Sequence, residues 1–181
     1  MTVSVVVPWR PTPDRQPLWD LLRPGWETIG EVVEGSCPDP WRKGAAVADA
    51  VSRATSDVLV IADADVWCAG TARAVEAVAA SAPWAVPHAR ILRQSPTATA
   101  AVLTGGDWST TSLERPAHRA VSGGGLVVMR REVFDACPMP VMGRREDEVW
   151  QTQLVPRFGR PWRGTADLFH LYHEPAEVSH G

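Results

Sequence analysis

The chain has 181 residues, room for one domain with a proper buried core and too few for two ordinary ones. With 45% hydrophobic and 22% charged residues it is not a disordered chain, and a formal net charge of -3 argues against a general polyanion binder. Cys37, Cys68 and Cys137 are odd in number and match no zinc spacing, which excludes a zinc ribbon or disulfide framework and suits free thiols in a reducing compartment.

Val3 to Val7 reads as a buried strand of the parallel type, closed by Pro8. Pro8 to Pro13 is a loop, Gln16 to Leu22 a helix expected to stop before Pro24, and 31–33 a short strand. Arg42 to Thr55 is a helix, because Ala46, Val47, Ala50, Val51 and Ala54 form one stripe. D-V-L-V-I-A at 57–62 is a second buried strand running into Asp63-Ala64-Asp65. A small-residue helix at 71–80 and a strand at 84–87 follow. The stretch 94–120, rich in Ser, Thr, Gly, Ala and Pro, reads as a long functional or mobile loop with little regular structure. Gly123-Gly124-Gly125 leads into a strand ending at Met129, then a helix at 131–136, a turn at 138–143, a helix at 145–158 and a last strand at 167–173. Strand and helix alternate throughout, which predicts a single α/β domain with a mostly parallel central sheet flanked by helices.

Five patterns can carry chemistry, and each also has an ordinary structural reading. Asp63 and Asp65 stand where a strand ends, the place where open α/β sheets bind ligands, and such a pair suits Mn²⁺ or Mg²⁺ with diphosphate oxygens; it could equally be a polar turn. His170 and His173 in F-H-L-Y-H are good ligands for Mn²⁺ or Zn²⁺, but on a strand a spacing of three puts them on opposite faces, so only one should reach a site. Glu146 and Asp147, in the first turn of a helix, are favoured as carboxylates by the dipole and could accept a proton, or could merely decorate the helix start. The glycines at 123–125 let backbone approach a ligand, or form a flexible turn. Trp9 and Arg10, beside Pro8, could hold a base and a phosphate, or be one core and one surface residue.

The order of these patterns is more specific than any one of them. V-V-V-P-W-R, R-K-G-A-A, D-V-L-V-I-A-D-A-D, S-G-G-G-L-V-V-M-R-R-E-V-F, R-E-D-E and F-H-L-Y-H follow one another along nearly the whole chain outside 94–120. The series resembles inverting glycosyltransferases of the GT-A fold. The nearest likeness is to the galactosyltransferase-like domains related to the β-1,4-galactosyltransferases and polypeptide N-acetylgalactosaminyltransferases, with glycosyltransferase family two a wider relative. The resemblance implies that Pro8, Trp9 and Arg10 line a uridine pocket and that Asp65 and His170 hold Mn²⁺ or Mg²⁺. It places Asp63 toward ribose and metal, sets Gly124 and Gly125 along the donor sugar, and makes Asp147 the catalytic base beside Glu146. Arg144 and Arg145 stand where the family usually has Trp-Gly.

These expectations describe a metal-dependent transferase moving a sugar from a UDP-sugar to an acceptor hydroxyl on a glycan, lipid, protein or hydroxylated nucleobase in DNA. Trp108 and Arg145 are candidate acceptor contacts. With no membrane span and no signal peptide, the expected location is the cytoplasm, a host's if the chain is viral. The alternatives are a non-catalytic nucleotide-sugar-binding module and a nucleotidyltransferase of the same fold type, although the latter usually opens with a Gly-rich basic loop where Pro8-Trp9-Arg10-Pro11 stands.

Overall fold

A computed structural model of the chain describes residues 2–119, 125–143 and 145–174. Its strands are β1 (Val3–Pro8), β2 (Glu31–Gly35), β3 (Val58–Ala62), β4 (Val66–Trp67), β5 (Trp84–Arg93), β6 (His118–Arg119), β7 (Leu126–Arg130) and β8 (Trp162–His170). They form one sheet in the order β2-β1-β3-β7-β5-β8-β4, with β6 paired to β5 on the edge that β7 leaves open. β2, β1, β3, β5 and β8 run in one direction and β7, β4 and β6 against it. The expected single α/β domain with a mostly parallel sheet is therefore present.

Helices cover both faces. The five residues of β3 are all buried, as a strand covered on both sides requires. Val58, Val60 and Ala62 pack with Leu18, Trp19, Leu22 and Trp26 of α1 (Gln16–Glu27), Ala74 and Val78 of α3 (Thr71–Ala80), and Val102 of α4 (Pro96–Leu103). Leu59 and Ile61 face the other layer, with Val47 and Ala50 of α2 (Lys43–Arg53), Phe134 of α5 (Arg131–Ala136), and Trp150 and Leu154 of α6 (Glu146–Phe158).

Several elements depart from the sequence expectation. α1 continues through Pro24 to Glu27 because Trp26 on its last turn is fully buried against Trp67, and burying an indole offsets the roughly 3 kcal/mol that an interior proline costs. β5 and β8 extend well beyond their predicted cores, pairing in parallel from Ala85 with Trp162 to Arg93 with His170 through two irregularities beside His88. The stretch 94–120 is not a loop with little regular structure. It contains α4, capped by Ser95 Oγ accepting from the Ala98 amide at 3.1 Å, and β6. α4 has no apolar stripe to betray it, but Ser95 followed by Pro96 at the first helical position is a start signal.

Candidate active site

The parallel strands deliver their carboxyl ends to one side of the sheet, and antiparallel β7 starts there, Leu126 pairing with Ala62. This brings Pro8, Asp63, Arg93 and His170 to one rim, with Gly125 beside them. Asp63 follows β3 and is locked by its amide donating to the Gly125 carbonyl at 2.8 Å. Gly125 has φ +91°, and a Cβ there would stand 2.7 Å from Asp63 Oδ2, so backbone conformation and space both require glycine. Two residues on, the Asp65 carbonyl accepts from the Leu171 amide at 2.9 Å, tying the motif to the end of β8.

Around Asp65 the structure collects three side chains whose ligand atoms all lie within 4.8 Å of one another: Asp65, His170 and His173. The expectation that only one histidine could enter the site is corrected. β8 ends at His170, so the alternation of faces ends there too, and the coil that follows returns His173 to Asp65. Both imidazoles are turned the same way. Nδ1 of His170 lies 3.1 Å from the Leu171 carbonyl and Nδ1 of His173 lies 2.8 Å from that of Glu174. A carbonyl only accepts, so both Nδ1 atoms carry hydrogen and both Nε2 atoms face Asp65, at 4.0 Å for His170 and 2.8 Å for His173. A neutral His173 would set a lone pair against the Asp65 carboxylate at that distance, so the contact needs either a proton or a cation.

The charge pattern agrees. Burial opposes the ionised form of Asp65, yet His170, His173 and Arg15 outweigh it and hold the carboxyl well below its usual range. The bond to Asp65 raises His173, whereas burial lowers His170. Arg15, at the start of α1, donates to Asp65 Oδ2 at 3.3 Å, while Asp65 Oδ1 is buried with no hydrogen-bond partner. An orphaned buried carboxylate oxygen flanked by two imidazole lone pairs, each oriented by a backbone carbonyl, is a donor set that fits a divalent cation of the Mn²⁺ type.

Beside this group lies a second one. Lys43, the first residue of α2 and the chain's only lysine, donates to Asp63 Oδ1 at 2.7 Å and to the two Asp147 oxygens at 3.1 and 3.2 Å. Burial pushes the Lys43 ammonium down, but Asp147 and Asp63 together drive it upward. Asp63 is raised to about 6 by burial, against the pull of Lys43. Three elements distant in sequence thus meet at one ammonium, and Asp63 is bound to it rather than to the Asp65–histidine group.

The other expected residues are placed as follows. Asp147 is in the first turn of α6, and Glu146 beside it is buried. Arg145 precedes them at φ 63° and pairs with Glu148. Trp9 is buried against Trp19, with the Arg15 guanidinium 5.9 Å from its ring centre. Arg10 is exposed and pairs with Asp39 at 3.2 Å. Trp108 packs on Phe169 and lines a groove with Leu21, Leu22 and Trp67 that none of Asp63, Asp65, Asp147 or His170 borders. Gly124 lies outside the described residues. A larger recess, about 470 Å³ and bordered by Arg73, Trp162 and Arg163, also holds none of the clustered side chains. Sequence reasoning left out Lys43, Arg15 and Arg93 as site residues; the one signal for Lys43 was its being the sole lysine, at a helix start just after a loop.

Comparison with solved structures identifies the class of fold. A197 from STIV is 17% identical with a TM-score of 0.54, over 99% of each chain. Glucosyl-3-phosphoglycerate synthase of M. tuberculosis is 15% identical with a TM-score of 0.50, over 98% of this chain and 74% of that one. The same enzyme, solved with Mn²⁺, UDP and glucosyl-3-phosphoglycerate, is 14% identical with a TM-score of 0.50, over 96% and 73%. The chain therefore has the fold of the GT-A glycosyltransferases. No family model and no curated protein matches it.

Proposed function

We propose that this protein is a metal-dependent glycosyltransferase that moves a sugar from a nucleotide-diphosphosugar, UDP-linked by the motif resemblance, to an acceptor hydroxyl with inversion. The observation that carries the reading is the meeting of Asp65, His170 and His173 around an unpartnered carboxylate oxygen, directly beside the Asp63–Lys43–Asp147 group. The motif order alone points to the galactosyltransferase-like subtype. The M. tuberculosis synthase of the same fold was solved with Mn²⁺ and UDP, which supports this donor and cofactor.

Asp65, His170 and His173 would hold the cation, and a cation bound there supplies charge to offset that developing on the departing diphosphate. Asp63, fixed by Gly125, borders the donor. Asp147 takes the proton of the acceptor hydroxyl as its oxygen bonds to the anomeric carbon. The bond from that carbon to the diphosphate breaks on the opposite face, and one displacement inverts the carbon. Lys43 offsets part of the negative charge of Asp63 and Asp147 before substrate arrives. Among the described residues no helix is long and apolar enough to cross a membrane, and Cys37, Cys68 and Cys137 are all free, which suits a cytoplasmic setting.

The test is UDP release from UDP-sugars with and without Mn²⁺. Asp147→Asn should lower turnover about 10²–10⁴-fold while keeping UDP binding, and Asp65→Ala should abolish the metal-dependent part of UDP binding. Full activity in Asp147→Asn would refute the base assignment; UDP binding without turnover in the unmodified protein would favour a non-catalytic module.

A further inference from the structure

Arg93 is the last residue of β5 and reaches the rim of the site from the half of the sheet beyond β7. Its NH1 lies 3.2 Å from His170 Nε2. Since Nδ1 of His170 holds the hydrogen, Nε2 accepts there. That contact is the one hydrogen bond of the guanidinium among the described residues. Its Nε is buried with no partner, and among the described residues it makes no ion pair. Other arginines are treated differently: Arg15 is paired with Asp65, Arg90 donates twice to Asp167, and Arg131 donates to three backbone carbonyls.

The surroundings add positive charge. The Arg93 carbonyl accepts from the Glu114 amide at 2.9 Å, and the segment leading to β6 runs back along the end of β5, with Ile91 opposite His118. Arg115 and His118 are close enough to this position for their charges to act on one another; Glu114, Asp65 and Asp63 act on Arg93 in the opposite sense. A half-buried guanidinium with unused donors, beside a second arginine and paired with none of these carboxylates among the described residues, is a poor structural element and a ready oxyanion seat. Cation binding at His170 Nε2 takes the lone pair to which Arg93 now donates, and leaves the guanidinium in need of an acceptor.

We infer that Arg93, supported by Arg115, is the anchoring contact for a phosphate or carboxylate carried by the acceptor, so that the sugar acceptor is a small anionic hydroxyl compound. The inference rests on the transferase reading above. Arg93 stands beside His170, where the cation and the donor's diphosphate would lie, but it comes from the opposite half of the sheet to the rest of the donor site. The residues set against the donor, Pro8, Asp63 and Gly125, belong to the β1–β3–β7 half, whereas Arg93 enters from β5, beyond β7 and beside β8.

The experiment uses calorimetry on the whole protein loaded with Mn²⁺ and UDP, titrated with glycerol 3-phosphate and, as the neutral counterpart, glycerol. The expected result is glycerol 3-phosphate binding at least tenfold weaker in Arg93→Gln, partly restored in Arg93→Lys, and weakened severalfold in Arg115→Gln, with glycerol binding to none of them. UDP binding in the presence of Mn²⁺ should stay within a few-fold of the unmodified protein in all three variants, and equal melting temperatures would show that each is folded. Equal glycerol 3-phosphate affinity in Arg93→Gln, or no binding in the unmodified protein, overturns the inference. Parallel loss of UDP binding in Arg93→Gln also overturns it and gives Arg93 to the diphosphate. Failure of UDP and Mn²⁺ to bind the unmodified protein is a separate result, which refutes the transferase reading itself.

Discussion

Replacing Lys43 by Met removes one ammonium and strands two carboxylates. The side chains of Lys43, Asp63 and Asp147 are 17%, 23% and 30% exposed, so the pairs lie between the surface and the interior. Breaking a buried pair by removing one partner costs about 3–5 kcal/mol, and an exposed pair is worth about 0–1. The exposures place Lys43→Met at about 2–3 kcal/mol, which for a domain of this size is a fall in Tm of about 5–10 °C. The loss should depend on pH. Asp63, raised to about 6, carries its proton at pH 5, and its pair with Lys43 is then already gone in the unmodified protein. At pH 8 Asp63 is ionised and the ammonium matters most. Melting curves at pH 5 and pH 8 should therefore show the larger deficit at pH 8. Adding Asp63→Asn to Lys43→Met should recover part of it, because the second change removes one of the stranded charges. A deficit below 1 kcal/mol at pH 8, or equal deficits at both pH values, would refute the view that Lys43 is the counter-ion of this site.

Gly125→Ala should lower the affinity for UDP with Mn²⁺ by tenfold or more and cost about 1–3 kcal/mol of stability, because its Cβ meets Asp63 Oδ2 on a φ of +91°; titration and melting measure the two. His88 is fully buried with neither ring nitrogen partnered, and burial lowers it to about 4. The unfolded chain thus binds the extra proton between about pH 6.5 and 4, and stability falls by about 3 kcal/mol as pH drops through that window. His88→Leu should flatten this acid limb in urea melts, and an unchanged limb would place the proton uptake elsewhere. His173 is raised by its bond to Asp65, so it holds its proton to a pH above 6.5 and a cation must displace it. Mn²⁺ affinity should fall about tenfold per pH unit below that value, with one proton released per ion, and His173→Gln should remove the slope.

Much of this architecture is legible without coordinates. The unbroken apolar run of β3 needs helices on both faces, and the stripe Ala46, Val47, Ala50, Val51 needs a sheet beneath it, so the layered α/β fold follows from local pattern and burial. Asp63 and Asp65 are marked by standing where such a strand stops. Two of the missed elements have local causes: α4 hides because Ala and Thr surround it evenly, and β4 is too short for any period to show.

The site itself is another matter, because it is made by contacts between residues far apart in the chain. The meeting of Lys43 with Asp147, 104 residues on, depends on α2 and α6 packing on the same face of the sheet. The approach of His173 to Asp65 depends on where β8 ends, which the pairing of Val66 with His170 decides. That Arg93 is left with unused donors, while Arg15 and Arg90 find carboxylates, is likewise settled only by which strand ends become neighbours. Which residues can be ionised or can bind a metal at strand ends is readable along the chain, because hydrophobic period and chain punctuation are local. Which of them share a charge is set by the packed fold, because electrostatic partnership depends on distance in space and on burial, neither of which is a property of a segment.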